Sequence, residues 1–115
     1  MQPSRLEKLL EFIKNEPNDE FLQYALATEY LRLDDKETAL SYYEGLVANH
    51  PAYVGTYYHL GKLYELLNRK EDAIATYQSG MNAARAAKNN HALSELQSAY
   101  MQASGLYGDE DDDDF

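Results

Sequence analysis

Shifted by 34 residues, the chain lies on itself. Residues 20–53 align with 54–87, and eight positions are identical: Tyr24/Tyr58, Leu26/Leu60, Tyr30/Tyr64, Leu33/Leu67, Lys36/Lys70, Glu37/Glu71, Ala39/Ala73 and Tyr43/Tyr77. Leu40/Ile74 adds a conservative match. Most of these pairs are apolar and stand at helical spacings, so they describe one packing unit built twice.

The punctuation keeps the same period. Pro17 and Pro51 are also 34 apart, and each follows a helical run that a proline would end. Asp34 and Asn68 fall at equivalent places between apolar stretches, and both residue types tolerate the left-handed backbone of a tight helix-to-helix turn. Ser4 followed by Glu7 reads as a capping box, and Asn18, with Asp19 and Glu20 behind it, suits the next helix start. The spacing predicts six helices, over 4–16, 19–33, 36–49, 53–67, 70–87 and 91–103, with no segment alternating long enough for a strand.

This pattern resembles the tetratricopeptide repeat, a 34-residue helix–turn–helix unit of the form W-x2-L-G-x2-Y, A-x3-F, A and a closing P. Residues 54–87 match it with Tyr57, Leu60, Gly61, Tyr64, Ala73, Tyr77 and Gly80; residues 20–53 match with Gln23, Leu26, Ala27, Tyr30, Ala39, Tyr43, Leu46 and Pro51. Small residues at 27, 61, 39 and 73 would let antiparallel helices approach, and the tyrosines at 30, 64, 43 and 77 would fill the space between neighbours. Gln23 in place of an aromatic and Leu46 in place of a small residue are the departures, and they bear on the packing of the first unit.

Both ends extend the pattern. Residues 4–17 read as the second helix of a preceding repeat, with Leu9 for Tyr43, Phe12 for Leu46 and Pro17 for Pro51. Leu93, Leu96 and Tyr100 repeat the spacing of Tyr57, Leu60 and Tyr64 two residues late, and Gln97 in the small-residue position suits a final capping helix. The expected organisation is a tetratricopeptide-like helical domain over 1–104, comprising a half repeat 4–17, repeats 20–53 and 54–87 and a capping helix 91–103. A disordered acidic tail would follow over 105–115. The resemblance implies an all-α, right-handed superhelical array of about six antiparallel helices.

Composition removes several function classes. The chain of 115 residues has no cysteine, so thiolate metal sites, disulfides and cysteine nucleophiles are out. Ten acids against five bases in residues 1–60, four against five in 61–108, and six against none in 109–115 give a net charge of −10. Such a surface repels nucleic-acid phosphate. No run approaches the ~20 apolar residues of a membrane span, and Arg5, Glu7 and Lys8 do not suit a signal peptide. The expectation is a soluble cytoplasmic protein without a cofactor.

Nothing reads as catalytic. His50, His59 and His91 share no ligand-like spacing, and no phosphate loop, nucleophile elbow or outstanding carboxylate pair is present. The expectation is that the protein is not an enzyme, with neither catalytic nor metal-binding residues. Tyr30, Tyr43, Tyr57, Tyr64, Tyr77 and Tyr100 read as core. Tyr24 and Tyr58 occupy the fifth positions of their repeats, on the face that in this family lines the concave groove. Thr28 and Lys62 follow one helical turn later, and His59 is beside Tyr58. These five residues are the candidate partner-binding groove, with partial burial of the tyrosines as the plainer alternative. The carboxylate clamp of chaperone-adaptor members needs lysine and asparagine at these positions, and only Lys62 fits. The resemblance therefore implies an adaptor that binds a peptide or helix of a protein partner, without membrane or nucleic acid. The other reading is a weakly self-associating structural module, to which Tyr42, Tyr53 and Tyr107 could contribute. Residues 109–114 form an acidic block that solubilises the chain, or covers the basic section carrying Lys62, Arg85 and Lys88.

Overall fold

A computed structural model describes residues 4–105. They form six α-helices: α1 (Arg5–Asn15), α2 (Glu20–Arg32), α3 (Lys36–Asn49), α4 (Gly55–Leu66), α5 (Lys70–Ala86) and α6 (Asn90–Ser104). The all-α repeat fold read from the sequence is therefore present, with helix ends within two residues of expectation. Two compact units divide between Tyr53 and Val54, where one repeat gives way to the next. The acidic block and Tyr107 lie outside the described residues.

Local chemistry accounts for the helix starts. Ser4 Oγ accepts from the Glu7 amide at 3.1 Å and Glu7 Oε1 accepts from the Ser4 amide at 2.9 Å, completing the capping box of α1. The cap of α2 is Asp19, one residue beyond the expected Asn18; its carboxylate accepts from the Leu22 amide at 2.9 Å. Asp35 and Asn89 cap α3 and α6 in the same way.

Two kinds of turn join the helices. The first kind ends at a proline. Glu16 and His50, 34 residues apart, have nearly the same backbone angles (φ −134°, ψ 64° and φ −136°, ψ 61°). Their amides donate to the carbonyls of Phe12 and Leu46. Both residues precede a proline, which excludes them from the helical region. The second kind passes through a left-handed residue. Asp34 (φ 67°) and Asn68 (φ 61°) do this within the repeats, closed by Asp35 N–H to Tyr30 O at 2.9 Å and Arg69 N–H to Tyr64 O at 2.8 Å.

After α5 the pattern changes. Arg85 stands where a third proline would fall, so α5 runs on to Ala86. Lys88 (φ 57°) then makes a left-handed turn, closed by Asn89 N–H to Ala84 O at 2.9 Å. A within-repeat turn thus joins α5 to α6, and the longer α5 accounts for the two-residue delay in the last helix.

In the first unit Leu9, Ala25 and Leu26 form a core against which Leu6, Leu10, Ile13, Leu22, Tyr30 and Tyr42 pack. Glu29 is 3% exposed yet charged. It accepts from Arg32 Nε at 3.1 Å and Arg32 Nη2 at 2.5 Å, and Arg5 Nε of α1 lies 3.4 Å away. The Arg32 hydrogen bonds hold its carboxyl below the usual carboxylate range. Its counterpart 34 residues on is Leu63, fully buried. The first unit thus satisfies with an ion pair what the second satisfies with an apolar side chain.

Residue size sets helix approach in the second unit. A Cβ on Gly61 would stand 2.1 Å from Tyr77 Cε1, and one on Gly80 would stand 2.5 Å from Tyr57 Cβ. The first unit inverts the second of these size pairs: Leu46, fully buried, replaces Gly80, and the slimmer Gln23 replaces Tyr57. Gln23 Nε2 donates to the Pro17 carbonyl at 2.8 Å, so the missing aromatic becomes a tie to the α1–α2 turn.

Three substitutions test this packing by denaturant unfolding. Gly61→Ala should destabilise by roughly 1–2 kcal/mol, because overpacking against the Tyr77 ring outweighs alanine's helix preference. Gly45→Ala in α3, where an added Cβ meets nothing within 4 Å, should stabilise by about 0.5–1 kcal/mol. Lys88→Gly should stabilise by roughly 0.5–1 kcal/mol, by relieving a left-handed lysine.

Candidate functional site

In the first unit α2 holds Tyr24 and Thr28 one turn apart. The half-buried Tyr24 ring meets Tyr43 edge-on at 6.2 Å between centroids and Tyr53 at 5.7 Å. Thr28 Oγ1 and Tyr43 Oη share a 3.0 Å hydrogen bond. Burial pushes the Tyr24 and Tyr43 hydroxyls above the usual tyrosine range, opposed in each case by a hydrogen bond to Thr28. Tyr53 is pushed up first by burial, then by Tyr24 and the charges of Glu20 and Asp19. Glu20 Oε1 lies 3.2 Å from His50 Nδ1, giving this tyrosine cluster an acidic rim. Tyr53 therefore belongs to the site, and Tyr42 stacks on Tyr30 at 5.7 Å. Both make ring contacts inside the first unit, where the sequence left them as free candidates for self-association.

In the second unit α4 holds Tyr58, His59 and Lys62. Lys62 Nζ lies 5.5 Å from the Tyr58 ring centroid, within cation–π range, and His59 meets the same ring edge-on at 5.7 Å. Burial lowers the His59 basicity, with the nearby Glu95 charge opposing it. Tyr58 and Lys62 open onto a cleft of about 270 Å³, whose other wall is α6, with His91, Ser94, Glu95, Ser98 and Gln102. His91 Nε2 and Glu95 Oε2 pair one turn apart along that wall at 3.3 Å. Ser94 and Ser98 stand 36 residues beyond Tyr58 and Lys62 and were missed in the sequence. The two-residue delay that relates Tyr100 to Tyr64 would have found them.

The matching core tyrosines send their hydroxyls to different partners. Tyr43 reaches Thr28, whereas Tyr77 donates to Glu65 Oε2 at 2.7 Å. Burial and that carboxylate push the Tyr77 hydroxyl far above the tyrosine range. Tyr57 and Tyr64 are buried as expected, while Tyr30 and Tyr100 are only half-buried. Tyr100 accepts from Gln78 Nε2 at 3.2 Å. Among the described residues no three His, Asp or Glu side chains converge as metal ligands, and no helix is long and apolar enough to cross a membrane. The site thus offers aromatic faces, a lysine ammonium and hydroxyls, groups suited to binding a peptide surface.

Two tetratricopeptide repeat profiles match, one over residues 54–87 and one over 22–53. No curated protein matches the sequence. Among solved structures, the crystal structure of a tetratricopeptide repeat domain protein from Salinibacter ruber is 53% identical. The match covers 76% of this chain and 99% of that one, with a TM-score of 0.74. A solution structure of a tetratricopeptide repeat domain protein from the same organism is 51% identical over 82% of this chain and 95% of that one, TM-score 0.75. A protein of Bordetella parapertussis, 18% identical over 98% of both chains with a TM-score of 0.79, shares the fold.

The His59 environment gives the site a pH signature. Burial disfavours the imidazolium, so the unfolded chain takes up the proton more readily than the folded one. Stability from the neutral ring is complete above the ordinary histidine value of about 6.5 and is lost as pH falls below it. Unfolding followed between roughly pH 7.5 and 5.5 should show stability falling toward acid, with a shallower fall for His59→Gln.

Proposed function

The chain belongs to the tetratricopeptide repeat family, and from that premise we propose that it is an interaction scaffold that holds a peptide or helix of a partner protein on the residues Tyr24, Thr28, Tyr58, His59 and Lys62. Repeats of this family mediate protein–protein interaction, and its members are generally non-enzymatic scaffolds. The observation that carries the reading is the open cleft of the second unit, where Tyr58 and Lys62 face the hydroxyls of Ser94 and Ser98. Tyrosine supplies large, rigid contact area at little entropic cost, and partly desolvated aromatic anchors dominate interface energetics. The acidic rim of the first unit suits a basic residue of the partner, and Lys62 suits an acidic or hydroxyl-bearing one.

Affinity capture from an extract of the source organism tests this. Tyr58→Ala with Lys62→Glu should weaken partner binding at least about tenfold, the scale of losing one interface anchor. Glu71→Lys, at an exposed position on α5, should leave binding unchanged. Full retention of every partner by the double variant would remove the groove assignment.

A further inference from the structure

The two fifth-position tyrosines have opposite electrostatic surroundings. In the second unit the chain supplies its own cation: Lys62, at the ninth position, lies 5.5 Å from the Tyr58 ring centroid. In the first unit the ninth position is Thr28, whose hydroxyl bonds to Tyr43 and brings no charge to Tyr24. What stands beside the Tyr24–Tyr53 pair is negative. Asp19 and Glu20 both act on the Tyr53 hydroxyl, adding to the upward push of burial. The bases of this unit that form ion pairs form them elsewhere: Arg5 and Arg32 with Glu29, Lys14 with Glu11, and Lys36 with Asp34. His50 Nδ1 lies against Oε1 of Glu20, and the Leu22 amide donates to Oδ1 of Asp19. The other oxygen of each carboxylate has no partner among the described residues.

Tyrosine rings edged by carboxylates suit a flat cation. A guanidinium is planar and weakly hydrated, stacks on aromatic rings, and offers parallel N–H donors to carboxylate oxygens. Tyr24 and Tyr53, both half-buried and 5.7 Å apart between centroids, supply the ring surface. Arg69 of the second unit makes the same kind of contact within the chain, 4.6 Å over the Tyr64 ring. The helix ends agree in sign. The last turn of α3 carries no basic side chain, so its carbonyls favour a cation, while Asp19 and Glu20 offset the amino end of α2. At long range the net charge of −10 attracts a basic segment. We propose that the patch formed by Asp19, Glu20, Tyr24 and Tyr53 binds an arginine side chain of the partner segment. That segment is the one the groove reading calls for, and the patch adds a residue it must carry.

The full chain titrated with N-acetyl-arginine N-methylamide at low salt, and followed by NMR, tests this. Saturable shifts should cluster at Asp19, Glu20, Tyr24 and Tyr53, with a Kd on the order of 10 mM. The neutral citrulline analogue should not saturate, and the lysine analogue should bind at least about threefold more weakly. Glu20→Gln and Asp19→Asn should each weaken arginine binding about threefold, and the two together should remove saturation. Asparagine caps a helix as aspartate does, so α2 keeps its start in both variants. Shifts spread evenly over the acidic surface overturn the proposal. So does a citrulline or lysine analogue that binds as tightly as arginine, or a double variant that binds as tightly as the parent. The probe needs no partner protein. Its failure therefore leaves the capture experiment on Tyr58 and Lys62 standing, and failure of that experiment leaves this one.

Discussion

The close seating of a tyrosine ring against a residue with no room for a side chain governs the second unit. Gly61 leaves no space for a Cβ beneath Tyr77, and Gly80 leaves none beside Tyr57. Both rings are thereby buried, and burial forces the Tyr77 hydroxyl to find an acceptor on its own unit, which is Glu65. Glu65 lies on α4, one turn beyond Gly61, so a single contact fixes helix spacing and tilt together. The first unit reaches the same architecture by other means. Ala27 takes the place of Gly61, Leu46 the place of Gly80, and Glu29 the place of Leu63. The volumes and charges differ but each change has a visible partner: Gln23 beside the α1–α2 turn, Arg5 and Arg32 around Glu29.

Turn chemistry decides where such a pattern stops. A proline after a helix forbids its continuation and keeps the preceding residue out of the helical region, which starts a new repeat. A left-handed residue instead folds the chain straight back. By lacking a proline at Arg85, the chain lengthens α5 and uses the second device where the first is expected, at Lys88. On α6, Gln97 is exposed where Gly61 is buried, while Leu96 and Ala99 face inward. A helix so patterned covers its neighbour without offering a small-residue seat to another.

What the sequence made legible follows from which signals are local. Asp34 and Asn68 carry their own preference for left-handed backbone, and Ser4 with Glu7 carries its cap, so these were readable residue by residue. Lys88 carries no such preference, and nothing local marks its turn. Glu29 reads as an ordinary surface partner of Arg32 three residues on. Its burial depends on α1 supplying Arg5, a tertiary fact with no local trace. Tyr42 and Tyr53 fall outside the repeat register, and only their ring contacts with Tyr30 and Tyr24 reveal where they belong. The five groove candidates were legible as positions, but the wall facing Tyr58 and Lys62 was hidden by the two-residue slip before α6.

The different fates of the two core hydroxyls explain why the two clusters are chemically unequal. Tyr43 bonds to Thr28, so the ninth position of the first repeat is drawn into holding its own core, and Tyr24 is wedged between Tyr43 and Tyr53. The chemistry left there is an aromatic edge with Glu20 nearby. Tyr77 turns to Glu65 instead, and the ninth position of the second repeat is released from that duty. Lys62 can therefore extend over the Tyr58 face toward the α6 hydroxyls. A cation resting on a ring is already partly desolvated and oriented, which lowers the cost of engaging a partner group. One residue, at 65, thus connects packing to the cleft: Glu65 takes the Tyr77 hydroxyl where the first unit has Leu31, and Lys62 is left over the Tyr58 ring.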